Sequence, residues 1–204
     1  MKLHPNQKRL RVFLAAELSL DLCRKVGELQ HQLRNFLPDV NWVRPESIHL
    51  TLKFLGNVDA GMVEQVLTAL EPIRQSQPPF TLEIQGLGVF PNLRRPRILW
   101  IGCTGDIPAL VNLVSGIEGM LNPLGFPPEE KPYYPHLTLA RIKHDNSQVG
   151  GVLTHSGLLE QPQNFGTLRV DQITFFRSDV SQPGAEYTAL GTVAFNRAGS
   201  NSSI

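Results

Sequence analysis

Polar and apolar side chains alternate over Arg9-Leu10-Arg11-Val12, and the chain runs on apolar through Phe13-Leu14-Ala15-Ala16. This period of two predicts a strand with Arg11, Phe13 and Ala15 on one face and Leu10, Val12 and Leu14 on the other. The period then changes. Leu22, Val26, Leu29, Leu33 and Phe36 recur at helical spacing over Leu20 to Leu37, with Ser19 placed to cap the N-terminus and Pro38 to stop the helix. A short strand over Val40 to Val43 and a polar turn, Arg44-Pro45-Glu46-Ser47, lead into a strand that Gly56-Asn57 closes. Asp59 is expected to cap a second helix striped by Met62, Val66, Leu67, Leu70 and Ile73, and Pro78-Pro79 ends it.

Phe80 to Phe90 and Arg97 to Cys103 read as a hairpin whose loop, Pro91 to Pro96, makes a basic tip with Arg94, Arg95 and Arg97. A third helix is expected after Asp106, with Leu110, Leu113, Val114, Ile117, Met120 and Leu121 as its buried stripe and Gly125 as its stop. A Pro-rich approach from Phe126 to Pro135 precedes another strand. Gln148 to Leu159 is a helix interrupted by glycines. Thr167 to Arg177 and Glu186 to Phe195 are strands separated by a turn at Ser181-Gln182-Pro183-Gly184. Hairpins with helices between them define an α+β class.

Two strands in this series share a motif, His49-Leu50-Thr51-Leu52 and His136-Leu137-Thr138-Leu139. Strict alternation puts His49, Thr51 and Lys53 on one face and Leu50, Leu52 and Phe54 on the other, and treats His136 and Thr138 alike. It also sets Arg141 opposite His136. Each copy sits in a similar run of strands beside an amphipathic helix, which predicts two pseudo-symmetric lobes of antiparallel sheet, helices on the outer faces and a central cleft. No linker separates the lobes. The expected organisation is a flexible N-terminus over 1–8, a single bilobal domain over 9–195 and a flexible tail over 196–204. If the histidine faces meet, two imidazoles and two hydroxyls line one cleft.

Composition narrows the function. The chain has 204 residues, 41% hydrophobic and 18% charged, as in ordinary globular proteins. Its 19 Lys and Arg against 18 Asp and Glu produce no global field to recruit nucleic acid, so any such contact is local. Cys23 and Cys103, far apart, form neither a disulfide framework nor a zinc pattern, and a reducing cytoplasm fits best. No signal peptide or membrane span is expected.

The runs Arg11 to Ala15, Asn41 to Arg44, Ile48 to Gly56, Gly86 to Pro91 and Pro135 to Arg141 together resemble the two-histidine phosphoesterases. The similar branch is the RNA 2′,3′-cyclic phosphodiesterases, also called 2′-5′ RNA ligases, and the resemblance runs from about Arg9 to Phe195. It implies hydrolysis of 2′,3′-cyclic phosphate ends of RNA, or of small cyclic nucleotides, to a 2′-phosphate, with 2′-5′ ligation in reverse. It also implies that His49 is the proton donor to the leaving 3′ oxygen and His136 the proton acceptor from water. The chemistry of the residues agrees: histidine suits both proton transfers near neutral pH, and Thr51 and Thr138 can donate to the charged phosphoryl oxygens. No cofactor or metal is called for, since neither motif has a His, Cys or carboxylate partner at ligand spacing. Arg141 and Arg11 are candidates to meet phosphate charge, Phe13 and Tyr187 to stack on a base. A monomer acting on RNA ends or cyclic nucleotides, with no membrane partner, is expected.

A single histidine on a strand is more often structural than catalytic, and it is the duplicated face that shifts the balance. Phe13 and Tyr187 taken singly read as core, Arg94, Arg95 and Arg97 as a solvated loop, and His4, His31, His144 and His155 as surface residues. A non-catalytic RNA-end or nucleotide-binding module on the same fold is the alternative to an enzyme.

Overall fold

The computed structural model describes residues 9–38, 40–143, 148–160, 163–181 and 184–196. In chain order the elements are β1 (Arg9–Glu17), α1 (Leu20–Arg34), β2 (Asn41–Trp42), β3 (His49–Asp59), α2 (Met62–Leu70), α3 (Ile73–Ser76), β4 (Phe80–Phe90), β5 (Ile98–Gly105), α4 (Ile107–Leu121), β6 (His136–Arg141), α5 (Gln148–His155), β7 (Asn164–Val170), β8 (Gln172–Ser181) and β9 (Gly184–Ala194). The class is α+β, as the hairpin pattern predicts.

The strands form one nine-stranded sheet in the order β7-β4-β5-β6-β3-β1-β8-β9, with β2 added beside β6. Every recorded pairing is antiparallel. The two expected lobes are therefore the two halves of a continuous sheet, joined at its centre where β3 meets β6. From that seam the halves mirror each other outward, β3-β1-β8-β9 against β6-β5-β4-β7. In each half the innermost strand carries a histidine motif.

Helices cover one face. Leu22, Val26, Leu29 and Leu33 of α1 are buried, as are Leu110, Leu113, Val114, Ile117 and Leu121 of α4. The helix α1 packs against β7, α4 against β3, and α2 against β9 and α4. One apolar cluster spans both halves, from Val12 and Leu50 to Leu137 and Leu168. The opposite face carries a separate small cluster of Phe13, Ala15 and Phe176 with Tyr187 against it. No helix among the described residues is long and apolar enough to cross a membrane.

The caps follow side-chain chemistry at two helices. Ser19 accepts from Leu22 N at 3.3 Å, and Asp106 accepts from Ala109 N at 3.1 Å. Elsewhere local signals yield to tertiary pairing. Phe36, expected in the buried stripe, lies beyond the end of α1 and is 56% exposed. Gly56 does not end its strand: at φ 74° it is accommodated within β3, which runs on to Asp59. Asp59 consequently caps nothing; it pairs with Arg9, and α2 starts after Gly61 without a side-chain cap. Pro72 divides the second helical stripe, leaving Ile73 in α3. Gly125 ends a short 3-10 turn over Asn122–Leu124 that follows α4.

The largest departure is Thr167 to Arg177, read as a single strand. The chain breaks pairing at Asp171, sending β7 to β4 at one end of the sheet and β8 to β1 in the other half. Both pieces are apolar enough to be central strands, so periodicity alone could not divide them. Of the expected flexible segments, 1–8 and all of 196–204 but Asn196 lie outside the described residues, as do the turn residues Gln182 and Pro183, while Asn196 N bonds Arg74 O at 2.7 Å.

Candidate active site

The site is built at the seam. Leu50 of β3 pairs with Leu137 of β6 in antiparallel sense. Alternation from that pair sets His49 across from Thr138, and Thr51 across from His136. The leucines enter the core at 0% exposure, and the histidines and threonines are half-buried on the other face.

Both imidazoles are held in the same way. Nδ1 of His49 bonds Ser47 O at 2.9 Å, and Nδ1 of His136 bonds Tyr134 O at 2.8 Å, in each case two residues back. A carbonyl only accepts, so each Nδ1 carries the hydrogen and each Nε2 is left to take or give a proton in the cleft. The loop before β6 is tied to β3 by Tyr133, whose hydroxyl donates to Thr51 O at 2.8 Å.

Strict alternation fails just past both motifs, and in the same place. The pairing of β1 with β3 slips between Leu14↔Lys53 and Ala15↔Thr51, so Leu52 is the extra residue of a bulge. The pairing of β5 with β6 slips between Leu99↔Ala140 and Trp100↔Thr138, which makes Leu139 its counterpart. Each bulge flips the residues that follow. Lys53, expected beside His49, turns into the protein at 4% exposure, where Nζ bonds Pro127 O at 2.8 Å and Glu118 Oε1 at 3.2 Å. Phe54, expected in the core, turns out to 56% exposure near Phe13. Arg141, expected opposite His136, returns to the histidine face, and its positive charge weighs on both imidazoles.

Burial is the main influence on the histidines. His49 stacks on Phe13 with centroids 4.6 Å apart and meets Tyr187 edge-on at 5.2 Å. Loss of hydration there pulls its pKa down to about 4; the bond to Ser47 opposes this, and the charges of Arg141 and His136 add to it. His136 meets the Phe90 ring edge-on at 5.1 Å, and desolvation followed by the Arg141 charge holds its pKa below the ordinary 6.5.

Of the residues singled out in the sequence, the structure gathers His49, His136, Thr51, Thr138, Arg141 and Tyr187. Phe13 is there in a different capacity. At 2% exposure, with its face against His49, it has no surface for a base and instead backs the imidazole. Arg11 is exposed opposite Asn57, six positions along β1 from the residue that faces His49, and Arg141 is the arginine whose charge reaches the imidazoles. Among the other histidines, His31 and His155 are exposed, while His4 and His144 lie outside the described residues. Arg94 and Arg95 are exposed in the β4–β5 loop, their amides held by Asn92 Oδ1 at 3.1 Å.

A cavity of about 430 Å³ opens beside His49, lined among others by Arg44, Phe176, Tyr187 and the carboxylates Glu17, Glu46 and Glu186. Sequence reading missed Phe176, and on the His136 side it missed Phe90, Trp100 and Tyr134. One signal was present: Trp100 ↔ Gly88 is a cross-strand pair in which a Cβ on Gly88 would lie 2.1 Å from the indole, so glycine is required under that ring. The cysteines are free, and Cys103 is pushed up to about 12 by burial. No group of three His, Cys, Asp or Glu side chains comes together as a metal site among the described residues.

A curled antiparallel sheet presenting one His-x-Thr motif from each half to a common face defines the two-histidine phosphoesterase class. The family model described as LigT like Phosphoesterase matches residues 20–100 and again 101–187, one match around each histidine motif, and the chain belongs to that family. It is 31% identical over 184 residues to the RNA 2′,3′-cyclic phosphodiesterase of Methanothermobacter thermautotrophicus, covering 89% of this chain and 97% of that one. The protein of the same name from Aquifex aeolicus is 33% identical over 73% of this chain and 78% of its own. Among solved structures, TT0787 of Thermus thermophilus superposes with TM-score 0.77 at 26% identity, covering 93% of this chain and 100% of that one.

Proposed function

We propose that this chain is an enzyme that opens 2′,3′-cyclic phosphates at RNA ends, or on small cyclic nucleotides, to leave a 2′-phosphate. The observation that carries this reading is the pair of imidazoles with Nδ1 tied to an i−2 carbonyl and Nε2 free on one face, each two residues from a hydroxyl. Relatives named RNA 2′,3′-cyclic phosphodiesterase support the choice of substrate.

The roles follow the resemblance. His136 Nε2 takes a proton as water attacks phosphorus, the P–O3′ bond breaks, and His49 Nε2 gives its proton to O3′. Thr51, Thr138 and Arg141 meet the negative charge on the non-bridging oxygens, whose stabilisation is worth most in a partly dry site. With a 5′-hydroxyl in place of water, the same displacement forms a 2′-5′ bond. One condition attaches to His49: with a pKa of about 4 it is neutral near pH 7 in the empty cleft. A phosphate anion beside Nε2 favours the charged imidazole, so binding of substrate supplies the acid. One chain furnishes both histidines, which supports a monomeric working unit, and two free cysteines support a reducing compartment such as the cytoplasm.

The test is incubation with an oligonucleotide ending in a 2′,3′-cyclic phosphate, in EDTA, with 2′- and 3′-phosphate products resolved. A 2′-phosphate formed at undiminished rate is expected. Loss of activity in EDTA, restored by zinc or manganese, points to a metallohydrolase. Tight binding without turnover points to a module that holds RNA ends.

A further inference from the structure

The two sides of the seam differ in what surrounds the histidine. On the His136 side three aromatic rings meet: Phe90 and Trp100 at 5.1 Å, Phe90 and Tyr134 at 5.3 Å, Trp100 and Tyr134 at 5.3 Å. Tyr134 is 54% exposed, and Phe90 and Trp100 are half-buried. In the other half the position that matches Trp100, opposite the motif threonine, is Ala15, and Thr174 stands where Gly88 does. The indole is thus seated by a glycine that only this half has.

In an in-line displacement at phosphorus the entering and leaving oxygens lie on opposite sides. With His49 at the leaving O3′, the nucleoside that carries the cyclic phosphate belongs on the His49 side. The 430 Å³ cavity there, with Phe176, Tyr187 and three carboxylates to accept from hydroxyl and amino groups, suits a nucleoside. The entering oxygen belongs beside His136. A water molecule gains nothing from three clustered rings, one of them open to solvent, whereas a nucleobase stacks on such a surface whatever its sequence.

We propose that Phe90, Trp100 and Tyr134 form a base platform for an acceptor nucleoside whose 5′-hydroxyl replaces water as the nucleophile. This rests on the reaction proposed above. The O5′–P bond forms as the 5′-hydroxyl proton passes to His136 Nε2; the P–O3′ bond breaks as His49 Nε2 protonates O3′. One phosphorus–oxygen bond is exchanged for another, and no nucleotide cofactor is consumed. The product is a 2′-5′ linkage.

The experiment supplies an oligonucleotide ending in a 2′,3′-cyclic phosphate together with excess acceptor, either a 5′-hydroxyl oligonucleotide or the same chain with an abasic first residue. The ratio of joined to hydrolysed product is measured. The base-bearing acceptor should join about five- to a hundredfold better than the abasic one, the range that base stacking supports. Tyr134→Ala and Trp100→Leu should lower the ratio by a similar factor, and Tyr134→Phe, which keeps the ring, should restore it. Tyr134 is exposed, so its variants keep the test open if Trp100→Leu fails to fold. In a Trp42→Phe background, where Trp100 is the one remaining tryptophan, adenosine should quench indole fluorescence. Equal joining of both acceptors, an unchanged ratio in Tyr134→Ala, or hydrolysis without any joining overturns the platform and leaves the hydrolase reading standing. A wild type that neither hydrolyses nor joins overturns both.

Discussion

The two halves of the sheet share a four-residue motif, a carbonyl two residues before the histidine and a bulge at the second leucine, Leu52 in one and Leu139 in the other. They part company after the bulge. In the first half the flipped residues are Lys53 and Phe54, which supply a buried ion pair and an exposed ring. In the second they are Ala140 and Arg141, which supply core packing and a positive charge that reaches both imidazoles. The surroundings of the imidazoles also differ, a stacked Phe13 against His49 and an edge-on Phe90 against His136. Repetition therefore places two chemically equal groups in unequal surroundings: burial pulls the pKa of His49 down to about 4 and holds that of His136 below the ordinary 6.5.

The sharpest way to break the comparison is to remove each histidine. His49→Ala and His136→Ala should each lower turnover by roughly two to four orders of magnitude, with the double mutant scarcely worse, because the pair acts as a unit. Melting temperatures measured alongside should change little; a loss of stability with turnover per folded molecule spared would make the histidines structural. A diester with a nitrophenolate leaving group needs no acid. Activity on it should survive in His49→Ala and not in His136→Ala, and the opposite result would exchange their roles.

The second prediction concerns stability. Lys53→Met leaves Glu118, whose side chain is 18% exposed, without its cation and releases Pro127. A loss of about 3–5 kcal/mol by denaturant unfolding is expected, the usual cost of breaking a buried pair from one side. Adding Glu118→Leu should recover much of it. If Lys53→Met unfolds like the wild type, the ion pair does not secure this half.

Thr51→Ala and Thr138→Ala should cost about ten- to a hundredfold in kcat, the scale of one hydrogen bond to a charged group, and should leave proton transfer in place. Roughly equal losses would confirm that the two halves contribute alike to the phosphate; a large loss in only one would show that they do not.

The smallest effects are titrations. By NMR, His49 should titrate near 4 and His136 below the ordinary 6.5, both moving up in Arg141→Gln because a positive charge is removed. Arg11→Gln should move neither. If the acid must be charged and the base neutral, kcat/KM is bell-shaped in pH. Such a profile fits either assignment of roles, since the pair titrates together. The deciding measurement is His49 in the presence of a 2′-phosphate product, where its pKa should rise toward neutrality. No rise would remove it as the acid.

Local chemistry written into the sequence was enough for several features. The period-2 and helical stripes located nearly every element, Ser19 and Asp106 capped their helices, and the doubled His-Leu-Thr-Leu run pointed to both imidazoles and both hydroxyls. These depend on neighbours within a few residues, which the sequence displays directly. Tertiary structure decided the rest. Whether Lys53, Phe54 and Arg141 face the cleft depends on bulges at Leu52 and Leu139, which exist only because β1 and β5 pair in a shifted register alongside. The division of the 164–181 segment between the two halves of the sheet depends on which strands were free to accept β7 and β8. The low proton affinity of His49 depends on Phe13 lying over its ring, a contact between residues on different strands that no spacing reveals. A sequence carries alternation; register, and with it the face each side chain takes, is settled by the partner strand.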